Sequence, residues 1–302
     1  MPETGLPWQQ QAHAKINLAL DVSRKRPDGF HEVSMIMQAI SLHDTVSLTL
    51  RSSGISLACN RAELPCDGAN LAYRAADLLR RECGVRQGIH IQLTKRIPLA
   101  AGLAGGSSDA AAVLRGLNEL WRLGLKPAEL ESLAARLGSD VPFCLWGGTV
   151  HATGRGEKLE PLPDFSGFGV VLANPPISVS TAWVYGQFQP DSWRGNRDIG
   201  PIRRAIDKKD FQTVAENLFN ALETVTIPAY HEIGEIKSAM VKAGAKGVLM
   251  SGSGPTVFAL TPDLNSARQL AGRVSLGPEV SIIVAETVAR EEQINGPSII
   301  TG

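Results

Sequence analysis

Pro98-Leu99-Ala100-Ala101-Gly102-Leu103-Ala104-Gly105-Gly106-Ser107-Ser108, continued by Asp-Ala-Ala-Ala-Val-Leu114, is the stretch around which the rest of the 302-residue chain reads as support. Gly102, Gly105 and Gly106 carry no Cβ, so the backbone there can take positive φ and bring bare N–H groups up to an anion. Ser107 and Ser108 stand where a helix is expected to begin, because 110–120 is a run of strong helix formers broken only by Gly116. A helix N-terminus offers unpaired N–H donors and a partial positive charge, so a phosphate is stabilised there twice over. The serine hydroxyls add donors, or one of them, Ser108, reaches a Mg²⁺ on the phosphates. No Gly-Lys-Ser/Thr follows the glycines, and there is no G-x-G-x-x-G, H-R-D or D-F-G element. This is a phosphate cradle of another kind.

Upstream, 88–93 alternates as a strand and feeds the loop through Lys95 and Arg96. Downstream, Pro127 opens a helix to 137. It stops at Gly138-Ser-Asp140-Val-Pro142, where the proline should push Val141 into extended backbone and hold Asp140 on a stiff corner. Near the N-terminus, 12–22 alternates with Ile16, Leu18, Leu20 and Val22 on the buried face and Lys15 and Asn17 on the other. Pro-Asp28-Gly makes a turn that leaves Phe30 and His31 side by side. Apolar stretches at 33–40, 46–50 and 55–57 continue the sheet, with a turn expected at 42–45. Asn70 caps a helix over 71–83 that ends on Gly84.

Proline, glycine and aspartate over 161–167 mark a boundary, giving units at 1–164 and 165–290 and a polar, flexible tail at 291–302. The second unit reads as a strand at 168–173, a short helix capped by Ser180 that carries Trp183, Tyr185 and Phe188, and a polar loop at 189–198. Helices at 199–207, 211–223 and 229–243 follow, then strands at 247–250 and 256–260 around Ser251-Gly252-Ser253-Gly254-Pro255. A helix at 264–273 and a strand at 280–286 complete it.

Lysine plus arginine and aspartate plus glutamate number 30 each, so the net charge is zero and nothing general invites nucleic acid or an anionic membrane. Cys59, Cys66, Cys83 and Cys144 form no C-x-x-C pair and read as reduced thiols. The first ten residues lack a signal-peptide core, and no apolar run approaches the ~18 residues of a membrane span. A cytoplasmic protein is expected.

Three stretches in this order, Ala14-Lys15-Ile-Asn17-Leu18, residues 98–108 and Gly252-Ser253-Gly-Pro255, resemble the three motifs of the GHMP small-molecule kinases. Asp28-Gly-Phe30-His31, Leu137-Gly-Ser-Asp140-Val-Pro142 and Asn174-Pro-Pro-Ile-Ser-Val-Ser-Thr181 resemble the branch that acts on a cytidine-diphosphate-linked polyol in isoprenoid precursor synthesis. The resemblance implies an α+β, two-domain α/β sandwich: an N-terminal ribosomal-protein-like domain and a C-terminal ferredoxin-like domain, with the site between them. It implies ATP and Mg²⁺ as cofactors and a small-molecule partner, in a monomer or homodimer. By that resemblance Pro98 to Ser108 hold the ATP phosphates, Asp140 is the general base and Lys15 keeps it ionised. The substrate residues would be Asn17, Phe30, His31, Thr181, Tyr185, Gly252 and Ser253, with His31 on the cytosine and Phe30 and Tyr185 as aromatic walls. Family members often have tyrosine at the position of Phe30, so ring stacking is kept here without the hydroxyl. Kinases of the same family for homoserine, mevalonate or a sugar, and a non-catalytic nucleotide-binding regulator, are the alternatives.

Overall fold

The computed structural model describes residues 7–190, 193 and 198–295. Two long antiparallel strands, β1 (Trp8–Lys25) and β2 (His31–Arg51), form the spine. Their turn is closed by Arg26 N–H on the Phe30 carbonyl at 2.7 Å and by Phe30 N–H on Asp28 Oδ1 at 3.2 Å. β2 is shared by two neighbours: its first part pairs with β5 (Thr149–Gly154) and its last part with β4 (Gly88–Thr94). β3 (Ile55–Cys59) runs parallel to β4, β6 (Lys158–Pro161) borders β5, and β8 (Phe219–Asn220) adds in parallel to β1, giving seven strands.

Four helices pack on this sheet and on one another: α1 (Leu71–Glu82), α2 (Gly105–Leu120), α3 (Pro127–Leu137) and α4 (Val141–Trp146). The Asn70 side chain caps α1 by accepting from Ala72 N–H at 3.0 Å, satisfying one of the orphan donors that every helix start leaves. Along α2, Ala110, Val113, Leu114 and Leu117 are buried in the core against β1 and β2.

The second sheet contains β7 (Gly169–Asn174), β9 (Gly247–Met250), β10 (Val257–Thr261) and β11 (Ser281–Glu286), all antiparallel, in the order β11-β7-β10-β9. Between β7 and β9 lie α5 (Thr181–Gln187), α6 (Gly200–Asp207), α7 (Phe211–Glu216), α8 (Glu223–Ala229) and α9 (His231–Lys242); α10 (Leu264–Arg273) joins β10 to β11. Order and connections are those of the split β-α-β ferredoxin-like motif. The two sheets are tied by β8, which leaves the second half to pair with β1, and by a bridge between Ile40 and Thr287.

The structure corrects the sequence reading in several places. Residues 42–45 are not a turn but the middle of β2, because Asp44 is fully buried and ion-paired to Lys95 rather than exposed. α2 begins at Gly105, not at the serines, after Ala104 in left-handed backbone at φ 58. Val141 is the first residue of α4 and not extended: burial of Val141, Pro142, Phe143 and Cys144 outweighs the bias that a following proline exerts. The helix expected over 211–223 breaks at Asn217 so that β8 can reach the first sheet. α11 (Arg290–Asn295) occupies the start of the expected tail; residues 296–302, like 191, 192 and 194–197 of the expected polar loop, lie outside the described residues. All four cysteines are free, and no described helix is long and apolar enough to cross a membrane.

Candidate active site

A cleft of about 1060 Å³ is lined by Lys15 and Asn17 of β1, by Phe30 and His31, by residues 98–107, and by Asp140, Thr181, Tyr185, Gly252 and Ser253. Of the site residues expected from the sequence, Ser108 alone is not among those that line it. The early start of α2 puts Ser108 one turn in, 2% exposed, with its hydroxyl donating to the His13 carbonyl at 2.7 Å. Ser108 thus fastens α2 to β1 and lies outside the cleft lining, away from where a metal on bound phosphates was expected. Ser107 lines the cleft in its stead.

The loop before α2 curls because Ala100, Gly102 and Ala104, every second residue, have positive φ. Alternation of this kind turns successive N–H groups to one side as an anion-binding nest. For the two alanines it costs of order 1–3 kcal/mol each, strain that folds tolerate mainly at functional sites. Ala104 supplies no side-chain cap, which leaves the first N–H groups of α2 without an intrahelical acceptor. Gly102 has no alternative: at φ 74, a Cβ there would lie 2.2 Å from the Ser251 carbonyl oxygen. The loop therefore rests directly on the 251–255 turn, and Ser251 Oγ donates back to the Gly102 carbonyl at 3.0 Å.

Lys15 is nearly buried, and burying an ammonium is costly unless its protons are used. Its Nζ donates to Asn17 Oδ1 at 2.7 Å and to the Gly102 carbonyl at 3.0 Å, and faces Asp140 Oδ2 at 3.9 Å. The fold thus brings positions 15 and 140 together. Asp140 precedes α4, yet its side chain caps no backbone N–H and keeps 32% of its surface open. The carboxylate is left open to the cleft, with the Lys15 ammonium facing it. Asn17 is held in turn through Nδ2 on Met35 Sδ at 3.4 Å.

At the other end of the cleft the His31 and Tyr185 rings lie 5.6 Å apart, tilted by 37°. Burial, with Lys25 nearby, pushes the His31 imidazole below its usual value, so at neutral pH it carries one donor and one acceptor nitrogen. Burial and the Asp140 charge push the Tyr185 phenol up, keeping it protonated. Phe30 is 48% exposed, with the Arg155 guanidinium 5.2 Å from its ring centre. Thr181 Oγ1 and Ser253 Oγ share a hydrogen bond of 2.8 Å across the cleft floor.

Several cleft residues escaped the sequence reading. Arg155 follows β5, which the sequence reading did not mark as a strand, and Asn70 was visible only as a helix cap. Lys95 stood out only as a cation leading into the loop, and it is buried. Among the described residues there is no cluster of three or more His, Cys, Asp or Glu that could hold a metal.

The chain matches the GHMP kinases N terminal domain over residues 70–148 and the GHMP kinases C terminal domain over 202–277. It is 54% identical over 277 residues to 4-diphosphocytidyl-2-C-methyl-D-erythritol kinase of Pelotomaculum thermopropionicum, covering 91% of this chain and 96% of the relative. A crystal structure of 4-(cytidine 5'-diphospho)-2C-methyl-D-erythritol kinase superimposes with a TM-score of 0.79 at 34% identity, covering 92% of this chain and 98% of the other. Homoserine kinase from Cytophaga hutchinsonii, at 20% identity and a TM-score of 0.77 over 97% of this chain and 98% of the other, shares the fold.

Proposed function

We infer the reaction from one premise, that this chain belongs to the GHMP kinase family and is a small-molecule kinase. Its reaction is transfer of the γ-phosphoryl group of ATP to an alcohol, and the substrate we propose is 4-diphosphocytidyl-2-C-methyl-D-erythritol, phosphorylated on its 2-hydroxyl on the route to isoprenoid precursors. One observation carries this reading: Lys15 and Asp140, the phosphate loop, and the His31–Tyr185 pocket all open into a single cleft.

Phosphoryl transfer has a loose transition state, so the protein mainly aligns the reactants and surrounds the moving charge with donors. The nest at 100–104 and the start of α2 take the phosphates. Mg²⁺ neutralises phosphate charge in such reactions. Because Ser108 lies outside the cleft lining, this ion would be held by the nucleotide phosphates, with the Ser107 hydroxyl, which does line the cleft, as the protein group on this loop that could join it. Asp140 accepts the proton of the substrate hydroxyl, and Lys15, kept aimed by Asn17 and Gly102, offsets the charge on the attacking oxygen. Neutral His31 presents a donor and an acceptor to the cytosine edge, and Phe30 and Tyr185 flank the ring. Thr181, Gly252 and Ser253 border the polyol. The division into domains at 1–164 and 165–290 is likewise proposed, on the existence of two sheets.

The test is ADP release from Mg-ATP with the cytidyl compound, homoserine, mevalonate and galactose in parallel. Turnover on the cytidyl compound alone is expected, and turnover on another alcohol overturns the substrate assignment. Asp140→Asn should lower kcat by about 10²–10⁴, the usual contribution of a positioned base, with ATP affinity kept. Full activity in that variant would remove Asp140 from the mechanism.

A further inference from the structure

Under the phosphate loop lies a charged cluster to which the reaction above assigns no part. The Lys95 ammonium is 3% exposed and is clasped by Asp44 and, at 2.6 Å, by Asp109 Oδ2. Asp44 is fully buried, and its second oxygen accepts from the backbone N–H groups of Arg96 at 2.5 Å and Ile97 at 2.9 Å. Asp109, in the second turn of α2, is 2% exposed, and its Oδ1 has no hydrogen-bond partner. One carboxylate would be enough to compensate one buried ammonium. A second, half-satisfied one is an expense that hydrophobic burial does not explain.

Its position supplies a reason. A Cβ added to Gly105, the first residue of α2, would come within 3.3 Å of Lys95 Nζ, so the ammonium lies against the backbone of the cradle itself. Lys95 and Asp109 both line the cleft. A full charge this close to the bound phosphates acts on them through low-dielectric protein, where it is weakly screened.

We propose that Lys95 is a positioning residue that supports the ATP phosphates from beneath the loop, and that Asp109 opposes it, holding nucleotide affinity down so that ADP can leave. The inference rests on reading this cleft as the ATP site. It has a consequence that a merely structural cluster lacks: removing the two charges shifts nucleotide affinity in opposite directions. Asp109→Asn keeps size and shape, and its amide oxygen still accepts from Lys95.

The experiment is calorimetric titration of the full chain with ATP, ADP and AMP at about pH 8. There Asp109, whose carboxyl burial pushes up to about 7, carries its charge in the wild type. Asp109→Asn is expected to tighten ATP and ADP by about three- to ten-fold, and Lys95→Met to weaken them by at least about tenfold, with AMP moving less in both because it lacks the outer phosphates. In turnover, Asp109→Asn should lower KM for ATP. Should Lys95→Met fail to fold, the Asp109→Asn titration decides alone. Unchanged or weakened ATP binding in Asp109→Asn overturns the proposal. A wild-type chain that binds no ATP overturns instead the reading of the cleft on which it rests.

Discussion

His13 and Asp109 are both buried with one polar atom unpaired, Nε2 in the first and Oδ1 in the second. Burial lowers the His13 imidazole to about 4 and raises the Asp109 carboxyl to about 7, so each is displaced toward its neutral form. Their linkages have opposite signs. The unfolded chain protonates His13 near 6.5, so its share of stability is lost as pH falls from there towards about 4. Asp109 binds its proton more tightly when folded, so its share is full below 3.8 and is lost as pH rises through about 7. Between those limits the two offset each other. Urea midpoints measured from about pH 4 to 7 should therefore move oppositely, as differences from wild type: His13→Gln gains on it towards acid and Asp109→Asn loses. Differences that stay flat with pH would show that neither group titrates as its burial requires. The sequence singled out Lys15 and Asp140 at this scale because each sits in a motif. It gave no sign of the Lys95 cluster, whose members stand on β2, just past the end of β4 and on α2.

Among elements, the contact between the phosphate loop and the 251–255 turn decides the most. Gly102→Ala would force a Cβ against the Ser251 carbonyl in backbone that alanine resists, so the loop must move off the turn. Lys15 then loses the Gly102 carbonyl that aims it. We expect a lower thermal midpoint, weaker ATP binding and little turnover. Gly106→Ala is the control, since its Cβ would make ordinary 3.7 Å contact with Leu71 within a helix, where alanine is favoured over glycine by about 1 kcal/mol. Its thermal midpoint should equal or exceed that of the wild type, and a drop as large as that of Gly102→Ala would show that crowding at the turn is not the cause. Elements with a clean period or cap were legible: α1, α3 and α10 match their sequence expectations closely, whereas β1 runs past 12–22 at both ends and buries Lys15 and Asn17 along with its apolar face. Those whose polar residues serve distant partners were not. Residues 42–45, expected as a turn, stay in the strand because Asp44 finds Lys95 and two backbone N–H groups in place of water.

At the scale of the whole molecule, the two sheets meet at Asn220. It lies on β8, and its Nδ2 donates to the carbonyls of Met250 at 2.8 Å and Gly252 at 2.7 Å, while its Oδ1 accepts from Leu222 N–H at 2.9 Å. The turn that supports the phosphate loop is therefore fixed to the sheet that carries Lys15. Asn220→Ala strands buried carbonyls at about 1–3 kcal/mol each. The expected result is a clear fall in thermal midpoint together with a raised KM for both substrates; a fall in stability with unchanged KM would mean that the cleft does not depend on this tie.

The sequence by itself marked most of the helices and strands, singled out a glycine-rich stretch as a candidate phosphate cradle, and carried the motifs that resemble the family. Those properties reside in periodicity, caps and backbone freedom, which are energies of neighbours along the chain. Only the tertiary structure decided that Asp140 faces Lys15 with its carboxylate uncapped, that Ser108 turns inward to His13, and that Lys95 lies buried beneath Gly105. Each of these depends on which distant surfaces pack together. Packing is settled by the summed burial of the whole chain, so a local pattern can propose a residue for a site but cannot fix what that residue will face.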